Sequence, residues 1–348
     1  MYEAVADLPL TVESVGLERR ARQTPAFERV TTVVSLSGEG HTGRGEDVTY
    51  EADHHDALAD WAADDGSFDL AGEFTFGEFS DLLDEADLWP AGEPERADFR
   101  QYRRWGFEAA ALDLALRQAD ETLADRLDAT HDPVRFVVSS RLPEGDTGRV
   151  ETLLERYSDA ELKLDPTSDW PEATFDYLRE TGAVRILDLK GAYEGTDVDQ
   201  APDPDLYRAV FEGFPDAVVE DPAVTDDTRE IVEAHADHVS WDAPIHSLDD
   251  VRAQPVAPDW LNVKPSRFGT VESLFETISW ADEHGVAMYG GGQFELDVGR
   301  GQIQELAALC YADGPNDVAP GVFNDPELPE NPPTSPLAVP TDHVGFGY

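Results

Sequence analysis

The sequence predicts an α/β protein, a (β/α)8-type TIM barrel preceded by a smaller α+β domain. Three observations lead there. Short apolar runs recur at 134–138, 160–164, 184–189, 217–219, 238–241, 260–263 and 286–289, each followed by an amphipathic helical segment. Their spacing of roughly 20 to 30 residues is the period of a βα unit. None of the runs is followed by the glycine-rich dinucleotide fingerprint, which counts against an open doubly wound sheet. Seven runs, with an eighth expected near 317–322, suffice to close a barrel.

Before His131 the rhythm is different. Residues 29–36 are β-branched and apolar and read as a strand; Gly38, Gly40, Gly43 and Gly45 break it before an extended pattern resumes at 46–50, which makes a hairpin. Acidic amphipathic segments at 55–63 and 76–86 read as helices. A long one runs from 99 to 127, with Ala109, Ala110, Ala111, Leu112, Leu114, Ala115 and Leu116 as its apolar face. The proline-rich 326–340 reads as an extended strap. The expected division is therefore 1–130, 131–320 for the barrel, and 321–348 as an extended segment packing back on the first domain.

Charge restricts the partners. With 74 Asp and Glu against 25 Lys and Arg, the formal net charge is −49, spread along the whole chain. At molar salt the Debye length falls to about 3 Å, so such a surface is expected in a high-salt cytosol, where its carboxylates hold water and cations. It repels nucleic acid and anionic membranes, so neither is an expected partner. Residues 1–10 lack a basic start followed by an apolar run, and no apolar stretch reaches membrane-spanning length, so a cytoplasmic protein is expected. A single cysteine, Cys310, excludes an internal disulfide and reads as a buried structural thiol.

The chain has three lysines, Lys163, Lys190 and Lys264, and each ends one of the apolar runs. Arginine can replace lysine for solvation but not for proton transfer near neutral pH, so this placement points to a chemical need for an amine. In a barrel the C-terminal strand ends carry the active site. Those ends hold Lys163 and Asp165, Asp188 and Lys190, Glu220, Asp242, and Lys264. Residues two apart on a strand face the same side, so each of the first two pairs can point inward together. Asp188, Glu220 and Asp242, on three consecutive strands, can converge on one hard divalent cation, Mg²⁺ or in its place Mn²⁺. A lysine beside that cation suits removal of a proton next to a carboxylate, because the doubly charged product needs a metal for its oxygens and an amine for the proton. A small carboxylic acid is the expected substrate.

These residues resemble the enolase superfamily in its muconate-lactonizing-enzyme-like branch, which includes o-succinylbenzoate synthases, cycloisomerases and dipeptide epimerases. Phe107-Glu108-Ala109-Ala110-Ala111-Leu112-Asp113-Leu114-Ala115 is similar to the helix preceding that barrel, and Val219-Glu220-Asp221-Pro222 to its fourth-strand metal motif. Val263-Lys264-Pro265-Ser266-Arg267-Phe268-Gly269 resembles the segment of the catalytic lysine. Gly290-Gly291-Gly292-Gln293-Phe294-Glu295 resembles the turn before a late active-site acid, here Glu295 as an orienting group. The resemblance implies that Asp188, Glu220 and Asp242 bind Mg²⁺ and that Lys264 is an acid/base on one face of the substrate. It also implies that the N-terminal unit is a capping domain whose loops near 18–27 and 43–50 close over the site. Arg19, Arg20 and Arg22 in the first loop are candidates to grip a second substrate carboxylate. A homo-oligomer suits a barrel of this type.

Two departures bear on the reaction. The family's second strand carries Lys-x-Lys, and here the better register, Glu161-Leu162-Lys163, keeps only the second lysine, while the other, Lys163-Leu164-Asp165, would lose it; the place two residues after the first metal ligand, commonly asparagine, is Lys190. Lys190 on the neighbouring strand is expected to restore the missing ammonium, fixed by Glu161 or Asp165. Racemization needs a tuned group on each face, whereas a syn elimination can use one lysine as base and then acid. The expectation is a lyase, a dehydratase similar to o-succinylbenzoate synthase, ahead of a cycloisomerase or racemase/epimerase. From other classes, a metal-free Schiff-base aldolase using Lys264 and a non-catalytic acid-binding barrel remain open alternatives.

Overall fold

The computed structural model describes residues 1–348 except 26, 194 and 197. Near the N-terminus β1 (Pro9–Val12) is followed by β2 (Ser14–Gln23), β3 (Glu28–Gly38) and β4 (His41–Asp47), the last three forming one antiparallel sheet. β5 (Gly72–Thr75) pairs with β1. Helices Ala52–Ala63, Phe76–Glu85 and Asp98–Ala119 complete this domain, the second opened by a capping box between Thr75 and Glu78.

The expected strand, hairpin and helices are present, with three corrections. Residues 18–23 are not loop but part of β2, and residue 26 of that expected loop lies outside the described residues. Gly43 and Gly45 do not break the hairpin; they lie inside β4. A Cβ at Gly43 would stand 2.2 Å from the Leu114 nitrogen, and one at Gly45 2.1 Å from the Gly106 carbonyl oxygen, so glycine is needed for the long helix to lie directly on the sheet. That helix also ends early, at Ala119, because Asp120 is left-handed (φ 57°); Thr122 then caps a separate short helix, Leu123–Leu127.

The remaining strands are β6 (Val137–Ser140), β7 (Glu161–Leu164), β8 (Val184–Asp188), β9 (Val218–Glu220), β10 (Val239–Trp241), β11 (Trp260–Val263) and β12 (Ala287–Gly290). They form one parallel seven-stranded sheet in sequential order, and helices separate its strands. Closure comes from a stitch rather than a full eighth strand. Asn316 bridges Phe136 beside β6, and Asp317 bridges Gly291 beyond β12, while 321–324, where the expected run continues, is a short 3₁₀ turn. The fold class is thus the expected curled parallel barrel behind an α+β domain. Inside the bore Val137, Ile186, Val218 and Tyr289 pack together as an apolar plug, the layered filling such barrels share.

The C-terminal segment packs on both parts. Leu337 pairs with Val134, and Phe346 is buried against Trp105, its backbone N–H donating to Asp113. Cys310 closes the helix Val298–Cys310, its thiol pushed up to about 12 by burial.

Glu108 sits between the two parts. Fully buried on the long helix, it accepts from the Ser80 hydroxyl (2.8 Å) and from the Val271 N–H of the barrel (3.2 Å). Burial pushes its carboxyl up to about 7, although Arg104 opposes the shift. A folded-state pKa above the ordinary 4.5 means that the native state holds the proton more tightly. Stability therefore falls as pH rises from about 4.5 to about 7, by roughly 3 kcal/mol. Glu108→Gln keeps both acceptor bonds and removes this fall. Denaturant unfolding in molar salt at pH 5 and pH 8 should show the variant gaining on the parent at the higher pH; parallel curves would contradict the assignment.

Candidate active site

All three lysines enter one cavity at the C-terminal ends of the barrel strands. It measures about 1380 Å³ and is walled on the N-terminal side by Thr24, Phe27 and Tyr50. Lys163 projects from β7, and Lys264 follows β11 across the bore. Lys190 lies two residues past the end of β8, its left-handed backbone (φ 54°) turning the side chain back over Asp188. Among the described residues, eight Lys and Arg line the cavity against five Asp and Glu. In a chain of this charge, such a balance suits an anionic ligand.

Below the lysines lies a group of carboxylates. Ligand atoms of Asp188, Glu220 and Asp221, all buried, lie within 4.8 Å of one another. Burial, and then the neighbouring carboxylates, push Asp221 well above the usual carboxylate range; Glu220 is also raised, with Lys163 opposing. Carboxylates gathered this closely in the interior require a cation or a shared proton. The donor set, all carboxylate oxygen, fits a hard divalent ion.

Asp242, the third ligand expected from the sequence, is not in that group of three but beside it. Its Oδ2 accepts from Lys264 Nζ (2.8 Å) and the Tyr193 hydroxyl (2.9 Å), and its Oδ1 from Arg267 Nε (3.1 Å). Burial pushes its pKa up, but Arg267 and Lys264 outweigh this and hold it far below the usual range. Asp221 in turn accepts from the backbone N–H groups of Asp242 (2.8 Å) and Ala243 (2.9 Å), which ties the ends of β9 and β10 together.

Each lysine has its own counter-ions. Lys163 donates to Glu220 Oε1 at 2.6 Å, with Asp317 at 3.5 Å and Asp188 at 3.7 Å. Burial lowers its pKa, but Glu220, Asp317 and Asp188 together raise it well above its ordinary value. Lys190 bonds Asp188 Oδ2, stands 3.7 Å from Asp165 and lies over the Tyr193 ring. Asp165 also meets Arg141 at 3.3 Å at the cavity wall.

Three expectations are corrected. Glu161 does not reach Lys190: at the start of β7 it is held by Arg135 (2.6 Å) and Arg185 (2.6 Å), near the opposite end of the strands from the lysines. Arg22 does not line the cavity, being paired with Asp325, as Arg19 is with Asp56 and Arg20 with Asp297. Glu295 is also outside the cavity lining; it accepts from the Gln293 N–H (2.7 Å) and meets Arg300 at 3.3 Å, so it holds the glycine-rich turn, while Gln293 faces the cavity. Sequence reading missed Asp221, Tyr193, Arg267 and Asp317. A usable signal existed for Asp221 and Arg267, both inside quoted motifs, and for Asp317, which begins the expected eighth run at 317–322; Tyr193 lies on a loop without one.

The chain and its fold are similar to known proteins. An o-succinylbenzoate synthase of Bacillus subtilis (strain 168) is 24% identical over 222 residues, 62% of this chain and 58% of that protein. A dipeptide epimerase structure from Enterococcus faecalis V583 superposes with a TM-score of 0.69 at 15% identity, covering 97% of this chain and 99% of that one. Muconate lactonizing enzyme from Pseudomonas putida superposes with a TM-score of 0.63 at 16% identity, covering 88% of each chain. These neighbours are enolase-superfamily enzymes, and the fold of this chain is theirs. The domain models of one family match in order along the chain, its N-terminal domain over residues 3–126 and its C-terminal domain over 130–325. On the match over more than half its length, the chain belongs to the family described as Domain of unknown function (DUF8230), built on the enolase-superfamily fold.

Proposed function

We propose that the protein is a Mg²⁺-dependent enzyme that removes the α-proton of a small carboxylic acid, and that its reaction is an elimination of the o-succinylbenzoate synthase type. One observation carries this: all three lysines of a −49 chain face one cavity directly above three converging carboxylates. Asp188 and Glu220 would hold the ion, with the third carboxylate from Asp242 or its neighbour Asp221. When bound, the ion supplies positive charge to the substrate carboxylate as the α-proton leaves.

The chain's own groups divide the remaining work. Lys264, held at 2.8 Å by Asp242, delivers and receives the proton on one face. Lys163, pinned by Glu220 and flanked by Asp317 and Asp188, is fixed as an ammonium on the other face and steadies the developing charge there. One mobile proton carrier and one fixed cation suit syn elimination, in which a single lysine is base and then acid. Tyr50, whose hydroxyl donates to Gln293 (2.7 Å), and Phe27 stand in the cavity wall beside these groups.

Epimerization is the second reading, supported by the full-length superposition on the dipeptide epimerase. The test is a library of carboxylic acids in deuterated water with Mg²⁺ at high salt, followed by NMR and mass spectrometry. Deuterium uptake with loss of water supports elimination, and uptake with inversion at unchanged mass otherwise supports epimerization. An EDTA-insensitive reaction trapped by borohydride would replace both with imine chemistry.

A further inference from the structure

Glu220 is held from below as well as from above. Its Oε2 accepts from the Tyr289 hydroxyl at 2.5 Å and from Asn262 Nδ2 at 2.9 Å. The Tyr289 oxygen is 2.9 Å from Ser240 Oγ. Because the tyrosine proton is committed to Glu220, Ser240 donates to Tyr289, and a directed chain runs Ser240 to Tyr289 to Glu220. The groups come from β9, β10, β11 and β12, and all four are buried in the bore. Ser240 registers with Glu220, and Asn262 with Tyr289, so the polar groups share one layer. Under it lies the apolar plug to which the Tyr289 ring belongs.

This layer has a chemical consequence. A carboxylate oxygen has two lone pairs, and both on Oε2 are taken. Among the described residues Oε1 receives Lys163 and no other donor, so it is the oxygen that retains acceptor capacity toward the cavity. We infer that Tyr289, with Ser240 behind it, is a positioning residue that locks the Glu220 carboxylate so that Oε1 is the oxygen offered to a divalent cation. The inference rests on the reading of Asp188 and Glu220 as metal ligands. Donors that orient a ligand from outside the coordination sphere commonly change metal affinity by about 10- to 100-fold when removed.

The test is calorimetric titration of Mn²⁺ into the full chain, its Tyr289→Phe variant and its Ser240→Ala variant, at high and constant ionic strength. The expected result is a dissociation constant raised about 10- to 100-fold in Tyr289→Phe, with stoichiometry unchanged, and a smaller rise in Ser240→Ala. A purely structural role for the hydroxyl would lower the unfolding midpoint and leave the constant unmoved; that result overturns the inference. If Tyr289→Phe does not fold, Ser240→Ala decides alone, a weakened constant supporting the inference and an unchanged one overturning it. Failure of the parent chain to bind Mn²⁺ would instead overturn the metal reading itself, so the two failures are distinguishable.

Discussion

Replacing Lys264 with alanine is expected to lower α-proton exchange by about 10²- to 10⁴-fold while leaving the fold intact, because a positioned general base contributes that much. The fold survives because Asp242 keeps Arg267 and Tyr193 as partners, so no buried carboxylate is left unpaired. Lys163→Ala should be just as inactive but less stable. It takes the ammonium from among Glu220, Asp317 and Asp188, and leaving buried charge without its partner costs about 3–5 kcal/mol. Added Mg²⁺ should return part of that stability. Lys190→Ala separates a third role: with Asp165 as a second carboxylate beside Asp188, Lys190 faces the same cavity from the next strand, and a fall in exchange would make it the replacement for the ammonium missing at Glu161. Full activity in Lys190→Ala, with the other two variants dead, removes that idea. Deuterium uptake and unfolding midpoints, measured on the three variants together, read all of these outcomes.

The second large effect is on metal binding. Asp188→Asn and Glu220→Gln should each abolish stabilisation of the protein by Mg²⁺, whereas the parent gains about 2.7 kcal/mol at a free concentration 100 times its dissociation constant. The reason is the close carboxylate group: without a cation its members repel one another in a buried place, and an ion that binds only the native state relieves this. Asp221→Asn and Asp242→Asn, run beside them, identify the third ligand. The variant that loses the Mg²⁺-induced shift lacks a ligand, and the one that keeps it lacks only a strut. Thermal unfolding at fixed molar NaCl, with and without Mg²⁺, is the measurement; a shift retained in both Asp188→Asn and Glu220→Gln would place the ion elsewhere.

Much of the site could be read from the chain because the barrel turns sequence period into geometry. Every run ends at the same face, so the residues that end the runs must meet, and Lys163, Asp188, Glu220, Asp242 and Lys264 do surround one bore. Glu161 shows the limit of that rule. Two residues before Lys163 and on the same side, it was close enough in sequence to pass for a site residue, yet a rise of about 3.3 Å per residue puts it well down the strand, where Arg135 and Arg185 hold it. Arg22 failed for a related reason: its segment is a paired strand, which directs its guanidinium to Asp325 and not to a cavity.

By itself the sequence determined the barrel, the domain before it, the strand-end charges and the concentration of lysine at one place, because each follows from local periodicity and composition. The tertiary structure alone decided which charge meets which. Asp317 reaches Lys163 through the barrel's closing stitch, Tyr193 crosses from the loop after β8 to Asp242, and Tyr289 supports Glu220 from three strands away. Those partners are separated by 49 to 154 positions along the chain, and only closure of the sheet brings them within a hydrogen bond or a salt bridge of each other.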